Sequence, residues 1–435
     1  MQYILEQGDQ TLATHSGLAL IGRLLERTSL SKRLNEVNLT RVEPEISNGD
    51  VAFSYLGLLV EGRGDFDHIE PFREDPFFKQ SLGIHKVPSS PTLRQRMDMA
   101  GQRWVPIVGQ ETIRLLKDLA VTPSPVLRDL VPLDVDVCPF DNSDTHKEGV
   151  SLTYKQVEGY APIFAYLGQE GYAICGQLRP GNTHCQLDTD IFLRQAIVNA
   201  KQITSQPLLV RLDAGNDSLD NIKVCIGESV HYIIKRNLRH ESVEQWLSIA
   251  REHGDCEEER PGKWVYTGSI YRDRELEHPL RIVFRVVHRE ISSTGQMLLV
   301  PEVEVETYWT SLSDPAATVI ELYHAHGTSE QFHSELKTEL DLERLPSGRF
   351  ATNSLVLQFG LLAYNLLRFI GQESLKQNDA PVRRQRTRRR IRTVIQGLIT
   401  LASRVVYHAR RWRLVFGVHS PWFPVFCRIY MALSP

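Results

Sequence analysis

Apolar residues recur at three- and four-residue spacing along the first part of the chain, in GLALIGRLLERTSLSKRLNEV from Gly17 and DVAFSYLGLLVEG from Asp50. That period puts them on one helix face, so residues 1–125 are predicted to be mainly helical. Near the end of this region, HKVPSSPTLRQRMDMA has a Pro88-Ser89-Ser90 turn and then Pro91 at a first helical position, followed by Thr92, Leu93, Arg94 and Arg96. Short polar and basic residues at a helix start are what the second helix of a helix-turn-helix offers to DNA. A plain surface helix behind a proline loop reads the same way.

The pattern changes after the proline-marked stretch VTPSPVLRDLVP. LDVDVCPF, YAPIFAYLG and YAICGQLRP read as three consecutive strands. A helix (DTDIFLRQAIVNAKQI), an apolar strand (PLLVRLDA), a second helix (SLDNIKVCI) and a further strand (HYIIKRN) follow. Strands in a meander, then alternating with helices, predict an α/β fold with a mixed sheet covered by helices, beginning at residue 126. Residues 238–312 interrupt the alternation with strand signals of their own, KWVYTGSIY, LRIVFRVVHREI and VEVETYWTSL, as a β-rich inserted subdomain would. Helical patterning resumes at Asp314, a good N-cap, with Pro315 in the first turn. The apolar stretch SLVLQFGLLAYNLLRFIG from Ser354 is interrupted by Gln358, Asn365 and Arg368, which predicts a buried helix and not a membrane span.

With 435 residues, 42% hydrophobic and 24% charged, the chain can bury two or three cores. Its six cysteines show no C-x-x-C spacing, so neither a zinc site nor a disulfide framework is indicated, and they read as reduced thiols of a cytoplasmic protein. MQYILEQGDQ lacks the basic flank and apolar run of a secretory signal. The net charge of −3 conceals a strong segregation: Pro381 to Arg413 contains eleven arginines, Arg388, Arg389 and Arg390 among them, and no acid. A solvated helix face would mix signs, whereas clustered guanidinium forks suit phosphate oxygens.

Three places carry candidate chemistry. Asp134 and Asp136 share a face of their strand by the period of two. Asp213 stands at the end of PLLVRLDA, just before Gly215-Asn216, where α/β sheets place their sites and where a turn or capping aspartate also occurs. In YHAHGTSEQFHSELKTELDLER from Tyr323, Gly327 can close one helix, and Thr328 with Gln331 can form a capping box that starts the next. That puts Glu330 in a first turn with Lys337 two turns later on the same face. Alone, such a pair describes a solvated face as readily.

Together these segments resemble bacterial insertion-sequence transposases of the DDE superfamily, in the branch with a β-rich insert. The family's third-acid signature is Tyr, two residues, Arg, three residues, Glu, six residues, Lys. Here Tyr323, His326, Glu330 and Lys337 occupy those positions, with His326 where the family usually has Arg. LDVDVCPFDNSDTHKEG, LRPGNTH and VRLDAGND are similar to its first, third and fourth strand blocks, favouring Asp136 over Asp134 and Asp213 over Asp217.

The resemblance implies an interrupted ribonuclease-H-like core over 126–237 and 313–375, the β-rich insert at 238–312, a helical DNA-binding region at 1–125 and a basic helical tail at 376–435. It also implies that Asp136, Asp213 and Glu330 hold two magnesium or manganese ions, since hard oxygen ligands suit those cations. Tyr323, His326 and Lys337 would contact DNA, together with Arg94, Arg96, Arg388, Arg389 and Arg390. The expected partners are double-stranded DNA, as terminal repeats and as target, and further copies of the chain in a dimer or higher assembly, acting at the nucleoid. A metal-dependent endonuclease that cuts without joining, and a DNA-binding relic with an inactive core, are the alternatives.

Overall fold

The computed structural model describes residues 2–434 other than 42, 240, 274–275 and 383–385, and of Thr328 the backbone alone. The first part is helical as expected, apart from a short strand β1 (Leu12–Ala13). It comprises α1 (Leu18–Leu25), α2 (Leu30–Asn35), α3 (Asn48–Leu59), α4 (Pro76–Leu82) and α5 (Ser90–Asp118). Ser89 caps α5 by accepting from the Thr92 amide, so the proline-led helix start lies where the sequence puts it. The helix kinks at Gly101, whose φ of 36° and ψ of −124° are not helical.

The core follows as β2 (Val131–Val137), β3 (Phe140–Asp141), β4 (Ser151–Leu152), β5 (Glu158–Tyr160), β6 (Ile163–Leu167), β7 (Tyr172–Gln177), α6 (Thr189–Ile203), β8 (Leu208–Leu212), α7 (Leu219–Gly227) and β9 (His231–Lys235). β6 runs antiparallel to both β2 and β7, while β2, β8 and β9 are mutually parallel. The order β7-β6-β2-β8-β9 is that of a ribonuclease-H-like sheet. β3, β4 and β5 form a small separate sheet.

The expected insert opens with a helix, α8 (Val243–His253), and continues as β10 (Gly254–Arg260), β11 (Lys263–Arg272), β12 (Leu280–Ile291) and β13 (Met297–Thr310). β13 pairs with β9, so these strands extend the core sheet to nine strands among the described residues. The acidic run GDCEEER, which carries no strand pattern, is β10 because β11 offers it a ladder.

α9 (Ala316–His324), a 3₁₀ turn at Ala325–Thr328, α10 (Ser329–Ser334) and a π-helical turn at Glu335–Glu339 then run on without a break. Gly327 therefore closes no helix, and Pro315, not Asp314, is the cap of α9. The proposed capping box involves the side chain of Thr328 and lies outside the described residues.

α11 (Phe350–Glu373) is long and apolar enough to cross a membrane, but its apolar stretch is 89% buried in the fold. Its polar residues explain themselves by their partners. Gln358 donates to the Gly176 carbonyl at 2.7 Å, and Asn365 accepts from the Ala173 amide and donates to its carbonyl, both on the edge strand β7.

The tail is helical at its start and end, as expected, but carries a hairpin between its helices. After α12 (Ile391–Val394), β14 (Ser403–His408) and β15 (Arg411–Phe416) form a hairpin, and α13 (Phe423–Leu433) follows. β14 pairs with β1, and α13 packs on α1, so the tail folds back onto the first helices. The reason is local: SRVVYH and RWRLVF are rich in the β-branched and aromatic residues that favour strands, a signal that the arginines obscure.

Two buried charge clusters tie these parts together. Arg211 on β8 lies in register with Asp134 on β2 and grips its carboxylate with Nε at 2.6 Å and Nη2 at 2.7 Å, while Nη1 donates to the Leu322 carbonyl of α9. Glu335, fully buried, accepts from Arg368 of α11, from Arg388 at 2.8 Å and from the Ile391 amide. It thereby fastens the tail to the chain between Glu330 and Lys337.

Removing one partner of such a pair strands the other charge out of water. Glu335→Ala is therefore expected to cost about 3–5 kcal/mol in urea unfolding, and a loss under about 1 kcal/mol would refute the clamp. Asp134→Asn should lose stability on the same scale. Burial alone would raise the Asp134 carboxyl, but attraction by Arg211 and then His326 outweighs it and brings it down to about 2. That contribution to stability is complete above the ordinary value of 3.8 and fades as pH falls toward 2. The acid limb of a Tm-against-pH curve should accordingly be shallower in Asp134→Asn than in the wild type.

Candidate active site

The period of two sends Asp134 and Asp136 to one face of β2, but their surroundings differ sharply. Asp134 is enclosed by Arg211 and by His326, whose Nδ1 lies 3.1 Å from Oδ1. Its oxygens are committed to the fold. Asp136, one strand position nearer the C-terminal end, has 21% of its side chain exposed. Its Oδ1 accepts from the Val137 amide, and its Oδ2 lies 3.2 Å from Nε2 of His333.

Asp213 immediately follows β8, the parallel neighbour of β2, and accepts from Asn216 at 2.7 Å. Burial and then the charge of Asp136 hold its carboxyl above the ordinary range. Burial would raise Asp136 too, but the His333 hydrogen bond and charge draw it below that range. Two neighbouring carboxyls at strand ends, one raised and one lowered, mark a site where negative charge is concentrated at a cost. Asp217, the competing second acid, is buried and accepts from Trp309 Nε1 and the Asn237 amide, so its oxygens are occupied.

Two tyrosines border the pair. Tyr154 donates to the Val137 carbonyl, and its hydroxyl is pushed up first by burial and then by Asp136 and Asp213. Tyr323, buried on α9 against Tyr308 and His326, is raised by burial and then by Asp213 and Asp136. Lys337 donates to the carbonyl of Pro139, just beyond Asp136, and pairs with Glu343.

Glu330 stands apart. It is exposed on α10 and is not among the main charges acting on Asp136 or Asp213. Among the described residues, no three His, Cys, Asp or Glu side chains come together as a metal-binding group. The site thus brings together two of the three expected acids.

The basic candidates divide as well. Arg96 is buried and donates to the Ile46 carbonyl and to Asn48, so it serves the fold and not DNA. Arg388 is spent on Glu335 and Gln331, and Arg389 is buried over the Trp422 ring. His326 is buried and turned to Asp134. Arg94, over the Phe66 ring, and Arg390 remain partly exposed. A cleft of about 710 Å³ opens between Ala325 and Gln331 on one side and Arg386, Arg388 and Arg390 on the other, but neither Asp136 nor Asp213 lines it.

Sequence reasoning missed His333, Tyr154 and Glu335. His333 had a signal, since it lies three residues after Glu330 and hence on nearly the same helix face. Tyr154 and Glu335 had none, because their roles depend on the packing of distant segments.

No curated protein matches the chain. Among solved structures, a piggyBac transposase synaptic complex with hairpin DNA is similar at 12% identity and a TM-score of 0.41, over 97% of this chain and 80% of that one, a likeness too distant to bear on the site. The model of the family described as transposase DDE domain group 1 matches residues 5–435. With paired aspartates on adjacent parallel strands of a ribonuclease-H-like sheet, and a family match along nearly its whole length, the chain belongs to the DDE transposases.

Proposed function

We propose that this transposase cuts the DNA ends of its own element and joins the freed 3′ ends to target DNA, with Asp136 and Asp213 as two of its metal-holding carboxylates and Glu330 as the third. The observation that carries the reading is the placing of Asp136 on β2 and of Asp213 just after its parallel neighbour β8, where burial and then the charge of Asp136 raise the Asp213 carboxyl. Hard carboxylate oxygens suit magnesium or manganese, and a divalent cation there would offset the charge that Asp136 places on Asp213. When bound, such ions activate the attacking oxygen and stabilise the leaving one.

The chain's own residues supply the rest. His333 orients the Asp136 carboxylate, the buried Tyr323 closes one side of the pair, the exposed Tyr154 borders it on the solvent side, and Lys337 stands at its rim to meet a phosphate. Glu330 belongs to the site through its place in the signature. Duplex DNA is the partner this chemistry requires, and a second copy of the chain is the partner that the family resemblance implies.

Labelled DNA carrying the ends of the gene's own locus, with magnesium or manganese, tests the reading. Asp136→Asn, Asp213→Asn and Glu330→Gln should each bind DNA but lose cleavage and joining at least about a hundredfold, or roughly 3 kcal/mol of transition-state stabilisation. Cleavage without joining by the wild type would make it an endonuclease, and binding without metal-dependent cleavage would make it a relic. Manganese should also raise the Tm of the wild type, and do so less in Asp213→Asn; equal shifts would remove Asp213 from the metal site.

A further inference from the structure

With Arg388 and Arg389 committed to the interior, the basic character of the tail is expressed elsewhere. The β14–β15 hairpin pairs Arg404 with Val415, Val406 with Arg413, Tyr407 with Trp412 and His408 with Arg411. Its two faces are distinct. Ser403, Val405, Leu414 and Phe416 form the inward one, and Val405, Trp412 and Leu414 line a groove shared with Arg23 and Tyr430. The outward face carries Arg404, His408, Arg411 and Arg413, all exposed, and Arg410 sits in the turn. Among the described residues, none of these four arginines is paired with a carboxylate, and no acid follows Asp379 in the sequence.

Arg404, Arg411 and Arg413 place several guanidinium charges on one face of the hairpin, where like charges repel one another in the free protein. An anion long enough to meet several of them at once would relieve that repulsion. Arg411 and Arg413 lie two strand residues apart, about 7 Å, so successive backbone phosphates can engage them without rearrangement. The ribbon is presented rigidly. The Ala409-Arg410 turn has both φ values positive, 51° and 61°, the twist that suits a tight hairpin, and β14 is anchored at its base by β1. A two-stranded ribbon of this width fits the major groove of a duplex.

We propose that the β14–β15 hairpin is a DNA-binding ribbon that grips duplex DNA by its phosphates through Arg404, Arg411 and Arg413, with Arg410 at the tip. This rests on the reading of the chain as an enzyme that acts on DNA. It assigns duplex binding to a sheet other than the one that carries the aspartates.

The test is the full chain with Arg404, Arg411 and Arg413 all replaced by Gln, titrated against a labelled DNA duplex at increasing salt. The plot of log affinity against log salt should become shallower by about 2 to 3, with affinity at least about tenfold weaker near physiological salt, and the Tm should stay at the wild-type value because the side chains are exposed. An unchanged slope and affinity would overturn the assignment, as would a loss seen only with single-stranded DNA or RNA. In that case a wild type that still binds and cleaves duplex leaves the transposase reading intact. A wild type with no affinity for duplex at any salt would remove both.

Discussion

The arrangement of the site depends on one guanidinium that has no access to water. Arg211 joins β2 through Asp134 and reaches α9 through the Leu322 carbonyl, while its own strand delivers Asp213 two residues later. A single side chain thus sets the relative positions of the three segments that carry Asp136, Asp213 and Tyr323. A buried ion pair of this kind contributes little net stability beyond what an apolar pair would give, since desolvation consumes most of the attraction. Its contribution here is to geometry: a fork with three fixed acceptors admits one register between β2 and β8 and one seat for α9.

Glu335 performs a comparable task on the other side of the signature helix. By collecting Arg368, Arg388 and the Ile391 amide, it makes the tail part of the catalytic core. The helical stretch from Ala316 to Glu339 is therefore held at its beginning by Arg211 and at its end by Glu335. Between those points it changes helix type twice, and Glu330 lies in that middle portion.

Much of this was legible in the sequence, for identifiable reasons. Period-two runs with flanking turns place β2, β6, β7, β8, β9 and β11 to β13, because the sheet's apolar strands are its strongest signal. Asp213 is legible from its place at a strand end, and Asp136 from the block around it. What was hidden depends on partners distant in sequence. Arg96, Arg388 and Arg389 look like phosphate ligands until Asn48, Glu335 and Trp422 are seen to enclose them. β10 is a strand only because β11 pairs with it, and the tail hairpin is masked by the arginines that decorate it. The exposed position of Glu330 follows from how α10 is seated, which the signature's spacing does not encode.

The amide of Asn365, bonded to both the N–H and the carbonyl of Ala173, has a counterpart at the opposite end of the sheet. A nine-stranded sheet ends in two rows of backbone groups, each a template for another chain. At β7 the α11 amides occupy part of that row. At β10 the row is left unpaired but bordered by Asp255, Glu257, Glu258 and Glu259. A second copy adding there in register would bring carboxylates against carboxylates, and DNA approaching that end would meet the same sign. The acidic run that looks featureless in the sequence thus discourages growth of the sheet at this edge by electrostatic repulsion.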